Sequence, residues 1–281
     1  MTHTKTVFAL ALLTATLTLV ADRAAAQTFH FVSYPGSSKT SINGVSNNKV
    51  AVGYYVDSGN VQHGFVVKNG VFSTLDNPNG IGTTILYGIN SSGVIVGSYG
   101  SSQNVKAFSY SGATFADIGP AGASASHAYG INDQGKIAGD FLDKGGTWKG
   151  WVYDGTTYQT LVVPGSMATY AYDINVHGVV AVEWVDAAGI VESSFYNGSY
   201  RTADVPNAVN SRVHALDAAG DAVYSWDDGA HIHGALLRGR TFKTFDAPGC
   251  SITTANGIND HRVIVGTCFN GPNYSGFYVI Y

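Results

Sequence analysis

The sequence predicts an all-β protein: a six-bladed β-propeller of four-stranded blades whose N-terminal strand completes the last blade. Three observations carry this prediction. A turn motif recurs six times at a nearly constant period, the composition is rich in glycine and poor in charge, and one strand sits out of its repeat order. The motif is clearest in Gly257-Ile258-Asn259-Asp260-His261-Arg262-Val263-Ile264-Val265-Gly266 and recurs at Gly88 to Gly97 and Gly130 to Gly139. Worn copies stand at Asp173-Ile174-Asn175, Ala215-Leu216-Asp217 and Gly44-Val45-Ser46. Its apolar second position falls at Val45, Ile89, Ile131, Ile174, Leu216 and Ile258, giving spacings of 44, 42, 43, 42 and 42 residues. A period this regular marks a repeat array that fills residues 27–281 as one domain. Glycine, 35 of 281 residues, and charged residues at 12% fit short strands joined by tight turns.

The chain opens on a processing signal. Lys5 precedes an apolar and threonine run from Thr6 to Val20, and Ala24-Ala25-Ala26 before Gln27 fits an A-x-A cleavage site. Residues 1–26 are expected to be a signal peptide, and the mature protein to be secreted or periplasmic. Cleavage leaves 13 basic and 18 acidic side chains, a net charge of −5. With Lys and Arg scattered, the chain shows no footprint for nucleic acid or anionic membrane. A monomer without cofactor is expected.

Each repeat then reads as four strands, bounded by Asn-Asp, Asn-Gly or Gly-containing pairs. In the last unit, strand a is Ser251 to Ile258, strand b is Arg262 to Cys268 and strand c is Tyr274 to Tyr281. Arg240 to Asp246 before them has the character of strand d. Asn90, Asn132, Asn175 and Asn259 suit a turn that needs a left-handed or side-chain-bonded residue. Strand d recurs at Val71 to Asp76, Ala113 to Ile118, Thr156 to Val162 and Ser199 to Asp204, each followed by a proline break. Proline cannot donate into a ladder, so it marks an outer, edge-type strand. A sixth copy, Thr28 to Pro35, lies at the start of the chain, where it can close the ring by completing the last blade.

The repeat resembles the HAF-type extracellular repeats of bacterial secreted proteins. In these a Gly-Ile-Asn turn leads to Ile-Val-Gly, then to a His-Gly-Phe strand and an Asp-x-Pro-Gly break. The later parts are matched by His63-Gly64-Phe65, Ser275-Gly276-Phe277 and Asp246-Ala247-Pro248-Gly249. The resemblance implies a secreted, propeller-like array and transfers no catalytic residue. The fourth and fifth units carry Val182 and Tyr224 where the motif has Gly, so the geometry is expected to be least regular there.

Candidate chemistry gathers at two places. At the start of strand a, equivalent positions hold Ser41, Ile85, His127, Tyr170, Arg212 and Thr254, and two residues on Asn43, Tyr87, Tyr129, Tyr172, His214 and Asn256. At the end of strand b an aromatic recurs as Tyr55, Tyr99, Phe141, Trp184 and Trp226, preceded in units three and four by Asp140 and Glu183. Tyr170, Trp184, Arg212, His214 and Trp226 are the expected ligand-binding residues, on the face of the proline-containing loops, and suit a carbohydrate or other small extracellular ligand. The recurring aromatic is equally what blade-to-blade packing requires. Asp140, Glu183, His127 and His214 are the groups a secreted hydrolase or lyase would use, and a purely structural array would use none of them. His231 and His233 share a strand face downstream of Asp227 and Asp228. That set would suit a metal, but His233 repeats the strand position of His63 and no metal is assigned. Cys250 and Cys268 lie nine residues either side of Asn259 and are expected to form a disulfide across the a–b hairpin.

Overall fold

The computed structural model describes residues 27–80, 82–101 and 104–281; the signal peptide expected over 1–26 lies outside the described residues. After β1 (His30–Val32), blade 1 contains β2 (Lys39–Val45), β3 (Val50–Val56), β4 (Gln62–Lys68) and β5 (Val71–Thr74). Blade 2 follows as β6 (Thr84–Ile89), β7 (Ile95–Ser101), β8 (Asn104–Ser111) and β9 (Thr114–Ile118), and blade 3 as β10 (Ala125–Ile131), β11 (Ile137–Leu142), β12 (Trp148–Tyr153) and β13 (Tyr158–Leu161). Blade 4 comprises β14 (Ala168–Ile174), β15 (Val180–Val185), β16 (Val191–Tyr196) and β17 (Tyr200–Thr202), and blade 5 β18 (Asn210–Leu216), β19 (Ala222–Asp227), β20 (Ile232–Arg238) and β21 (Thr241–Phe245). The last blade holds β22 (Ile252–Ile258), β23 (Val263–Asn270) and β24 (Asn273–Ile280). Its fourth strand is β1, antiparallel to β24 with Phe31 opposite Phe277. The fold is the six-bladed propeller expected, closed as expected.

The repeated asparagine does more than make a turn. In Asn132 the side-chain oxygen accepts the amides of Gln134 and Lys136 at 3.0 and 2.9 Å, holding the a–b turn. Its Nδ2 donates to the Asn175 carbonyl of the next blade at 2.9 Å. Asn90, Asn175 and Asn259 repeat the link at 3.2, 3.0 and 3.0 Å, so one residue type both caps its own hairpin and ties it to its neighbour. Asp217, which has no amide to donate, lacks this link, and that junction keeps only a second one found also at Ser91 and Asp260, in which Asp260 accepts the Ala218 amide at 2.8 Å.

The core lies in the six seams between blades, each filled by its own apolar cluster. The second glycine of the motif makes room in these seams. A Cβ at Gly97 would stand 2.9 Å from the Phe108 ring directly across the ladder, and Gly53, Gly139 and Gly266 likewise face Phe65, Trp151 and Phe277. In blades 4 and 5 the partition is reversed. Val182 faces Ser194 and Tyr224 faces Ala235, large and small having changed strands. The register and the strand-a bulge are the same there as elsewhere, which corrects the expectation of least regular geometry in these units. Packing constrains the summed volume of the pair, and either strand can supply it.

The N-terminal segment also reaches beyond blade 6. Phe29 packs edge-on against Phe277 at 5.4 Å, while Tyr34 stacks on Tyr55 of blade 1 at 3.6 Å and its hydroxyl hydrogen-bonds with that of Thr74. Cys250 and Cys268 form the expected disulfide, with Cα atoms 5.3 Å apart. The route differs from the expectation, because Cys268 pairs in register with Thr253. The a–b turn runs from Asn259 to Val263 and a bulge adds a residue to strand a, so the hairpin is not centred on Asn259. Cys250 instead lies in the loop from strand d, and the disulfide pins that loop to strand b.

Candidate ligand channel

Strand a of every blade carries one β-bulge, between Ile42 and Gly44, Leu86 and Gly88, Ala128 and Gly130, Ala171 and Asp173, Val213 and Ala215, and Ala255 and Gly257. The extra residue in each case is Asn43, Tyr87, Tyr129, Tyr172, His214 or Asn256, and all six line the central channel. A bulge leaves one residue unpaired and re-aims its side chain, and here it is repeated around the ring. The following Gly lets the next blade approach: a Cβ at Gly88 would stand 2.6 Å from the Tyr129 carbonyl. In blade 4 Asp173 takes this place and accepts the Leu216 amide of blade 5 at 3.0 Å. Burial pushes its carboxyl up to about 6, against the pull of the Leu216 and Ile174 amides.

The channel encloses about 400 Å³ and opens among the a–b turns, past Asn47, Ser91, Asp133 and Ala218. Its walls are unlike. Blades 2 to 4 present an aromatic arc, Tyr87, Tyr129 and Tyr172, with ring centroids 4.9 and 4.7 Å apart. Blades 6 and 1 present hydroxyls and amides. The Ser41 and Thr267 hydroxyls bond at 2.7 Å, Asn256 Nδ2 donates to Thr267 Oγ1 at 3.0 Å, and Asn43 Nδ2 donates to the Leu86 carbonyl at 2.9 Å.

The charged groups expected at the site come together beyond the tyrosine arc, towards the proline-loop end. His127 Nδ1 lies 2.7 Å from Asp140 Oδ1, and Tyr129 donates its hydroxyl to Asp140 Oδ2 at 3.0 Å. Arg212 of blade 5 donates to Glu183 Oε1 of blade 4 at 3.0 Å, leaving Glu183 Oε2 buried without a partner. Burial drives the Glu183 carboxyl up to about 7; Arg212 opposes this and Asp140 adds to it. Burial, with Arg212 nearby, pulls His214 down to about 4, so its ring is neutral, and its Nε2 lies 3.1 Å from Ser225 Oγ. Burial raises the phenols of Tyr129 and Tyr172 well above their ordinary range, keeping them hydroxyl donors. Tyr170 stands over this layer beside Trp148, whose ring also stacks on His127 at 5.5 Å. The open volume is bounded by the a–b turns of all six blades and, on the side of blades 6, 1 and 2, reaches Ile85, Thr254 and Phe269 at the proline-loop end. His127, Tyr170 and Arg212 occupy the proline-loop end themselves.

Trp184 and Trp226 are not brought to the channel. Side chains alternate along strand b, so Glu183 turns towards blade 5 while Trp184 turns back to the blade 3–4 seam, where its Nε1 donates to Ser194 Oγ at 3.1 Å. Trp226 packs in the blade 4–5 seam and lies over His233 at 4.8 Å. His233 stands on strand c of blade 5 and His231 in the loop just before it, away from the channel. Sequence reasoning grouped Tyr129 and Tyr172 by position without naming them as site residues and passed over Asp173 and Trp148. The available signals were a Gly-to-Asp change within the motif and an aromatic run confined to three consecutive units.

Among the described residues no helix is long and apolar enough to cross a membrane. No protein-family model matches the sequence, and no curated protein is similar to it in sequence. Solved structures are similar in fold. SapL1 lectin, in complex with α-methyl fucoside, gives a TM-score of 0.58 at 13% identity, over 88% of this chain and 93% of that one. A mutant of AofleA from Arthrobotrys oligospora gives 0.57 at 12%, over 91% and 87%. The fucose-recognising lectin of Aleuria aurantia, a six-bladed β-propeller, gives 0.52 at 12%, over 89% and 97%. At these identities the likeness establishes the propeller fold.

Proposed function

We propose that this chain is a secreted or periplasmic propeller of HAF-type repeats whose channel binds a carbohydrate. The observation that carries the reading is the two-sidedness of the channel: a tyrosine arc, with His214 beside Tyr172, faces a wall of Ser, Thr and Asn side chains. Sugars have apolar ring faces and hydroxyl edges, and sites that take them combine aromatic surface with a few fixed polar groups. Fucoside binding by similar propellers supports the ligand class, and the repeat resemblance supports the extracellular setting.

Binding is favoured over hydrolysis or elimination by how the carboxyls are engaged. Both Asp140 oxygens are held by His127 and Tyr129, and Glu183 is 3% exposed with one oxygen on Arg212. A general acid or base must reach the proton it transfers. Asp140 has no free oxygen, and Glu183, although its Oε2 is unpartnered, does not line the channel.

The test is a glycan array on the full chain, with α-methyl-L-fucoside included as a soluble probe, followed by titration of the best ligand. Thr254 lines the channel on the blade 6 wall, so Thr254→Tyr should abolish binding by filling it with a side chain that blade 4 already carries at the equivalent Tyr170. Trp184→Ala, outside the channel, should leave affinity unchanged. Absence of glycan binding, or full affinity in Thr254→Tyr, would refute the reading. Turnover of any bound glycan would favour the hydrolase or lyase alternative.

A further inference from the structure

We propose that Asp228, His231 and His233, on the rim of blade 5 and apart from the channel, form a binding site for a divalent transition-metal ion of the zinc class. Their ligand atoms lie within 4.8 Å of one another, and Asp228 and His233 are already held in place by hydrogen bonds through their other polar atoms. Asp228 Oδ1 accepts the amides of Ala230 and His231, both at 2.8 Å, which turns Oδ2 towards the histidines. His233 Nδ1 lies against the Asp246 carboxylate at 2.9 and 3.1 Å. His233 Nε2 lies 3.3 Å from Asp228 Oδ2, so without metal the ring is held between two carboxylates, and a metal ion would displace the Nε2 proton and take both atoms as ligands.

That separation is compatible with two ligands of one ion, and the same spacing recurs in blade 1, so the third donor, His231, is what sets blade 5 apart. Two ligands each about 2.0–2.2 Å from a tetrahedral zinc stand roughly 3.3–3.5 Å apart. The Asp246 carboxylate behind His233 is the outer partner that metal-bound histidines use to fix ring and tautomer. His231 is exposed, so rotation of its side chain brings in the third donor, and water takes the fourth position.

Blade 1 supplies an internal control. There Asp57, His63 and Asp76 repeat the arrangement, with His63 Nδ1 2.7 Å from Asp76 and Nε2 3.4 Å from Asp57. The position of His231 is taken by Val61, which offers no donor, so blade 1 has two ligands where blade 5 has three.

The experiment is zinc titration by calorimetry on untagged, chelator-stripped full chain, joined to quenching of Trp226 fluorescence by Ni²⁺, since its ring lies 4.8 Å from His233. One zinc per chain is expected. His231→Ala should weaken binding at least tenfold and Asp246→Asn about tenfold. His63→Ala should change nothing. His231 is exposed, so its alanine variant should melt with wild type under chelation. No binding, affinity unchanged in His231→Ala, or loss of the ion in His63→Ala would overturn the assignment.

Discussion

The exchange of large and small residues between strands b and c predicts a specific rescue in blade 5. Tyr224 is fully buried and meets Phe242 edge-on at 5.2 Å. Phe108 of strand c meets Phe115 at 5.2 Å, and Trp151 meets Tyr158 at 5.5 Å, so rings from different strands fill one space in the blade. Tyr224→Gly removes that ring. Loss of a buried aromatic costs about 3–5 kcal/mol and glycine in a strand about 1 more. Freeing the buried Tyr224 hydroxyl, which lacks a partner, returns about 1–2. The single variant should therefore lose about 4 kcal/mol. Ala235→Phe alone places a second ring against the first, an overpacking cost of about 2–3 kcal/mol. Additivity would put the double variant near 6 kcal/mol. The structure instead predicts that Tyr224→Gly/Ala235→Phe restores the Gly–Phe pair of blades 1, 2 and 6 and lies within about 1–2 kcal/mol of wild type. Equilibrium urea denaturation of the four proteins measures this. A double variant as unstable as the sum would mean that the two positions do not share one volume.

Three further outcomes are expected. A chain starting at Ser37 lacks β1, Phe29 and Tyr34, so it exposes the edge of β24 and should aggregate or unfold without cooperativity; a monomer on gel filtration with an unchanged melting curve would exclude the closure described. The Cys250–Cys268 disulfide closes a loop of 18 residues, so Cys250→Ala/Cys268→Ala should lose about 3 kcal/mol in denaturant titration, and an unchanged midpoint would show that the link contributes nothing. Glu183 has its pKa raised to about 7, so the folded state holds a proton that the unfolded chain releases near 4.5. Its contribution therefore falls as pH rises from 4.5 through 7, by about 3 kcal/mol, and Glu183→Gln should melt with wild type at low pH and above it at pH 8. Parallel pH–stability curves for the two proteins would contradict this.

The fold was legible because it is written in repetition. Six copies of Gly-Ile-Asn and its variants at a steady period, and one strand-d copy displaced to Thr28, leave little choice but a ring closed by its own N-terminus. The site was legible only by position. Numbering equivalent residues grouped Tyr87, Tyr129 and Tyr172, and separately Asp140 and Glu183, but the shared position at the end of strand b put Trp184 and Trp226 with them, although neighbours along a strand point opposite ways. The strand-a bulge decides which residues line the channel. It adds one residue before the Gly of four units, Asp173 of blade 4 and Ala215 of blade 5, aims that residue into the channel and shifts the hairpin register, which is also why Cys268 faces Thr253 and Cys250 reaches it from a loop. No side-chain pattern announces such a bulge.

Sequence alone therefore determined the number of blades, their order, the closing strand and the cysteine pair, all of which follow from periodicity and chain connectivity. The tertiary structure decided which side of each strand faces the channel, that the cavity opens among the a–b turns, and that Asp140 and Glu183 are spoken for by His127, Tyr129 and Arg212. The Arg212–Glu183 contact and the shape of the channel join neighbouring blades, set by backbone approach at the bulges and by volume shared across each seam, and neither is a property of any one repeat.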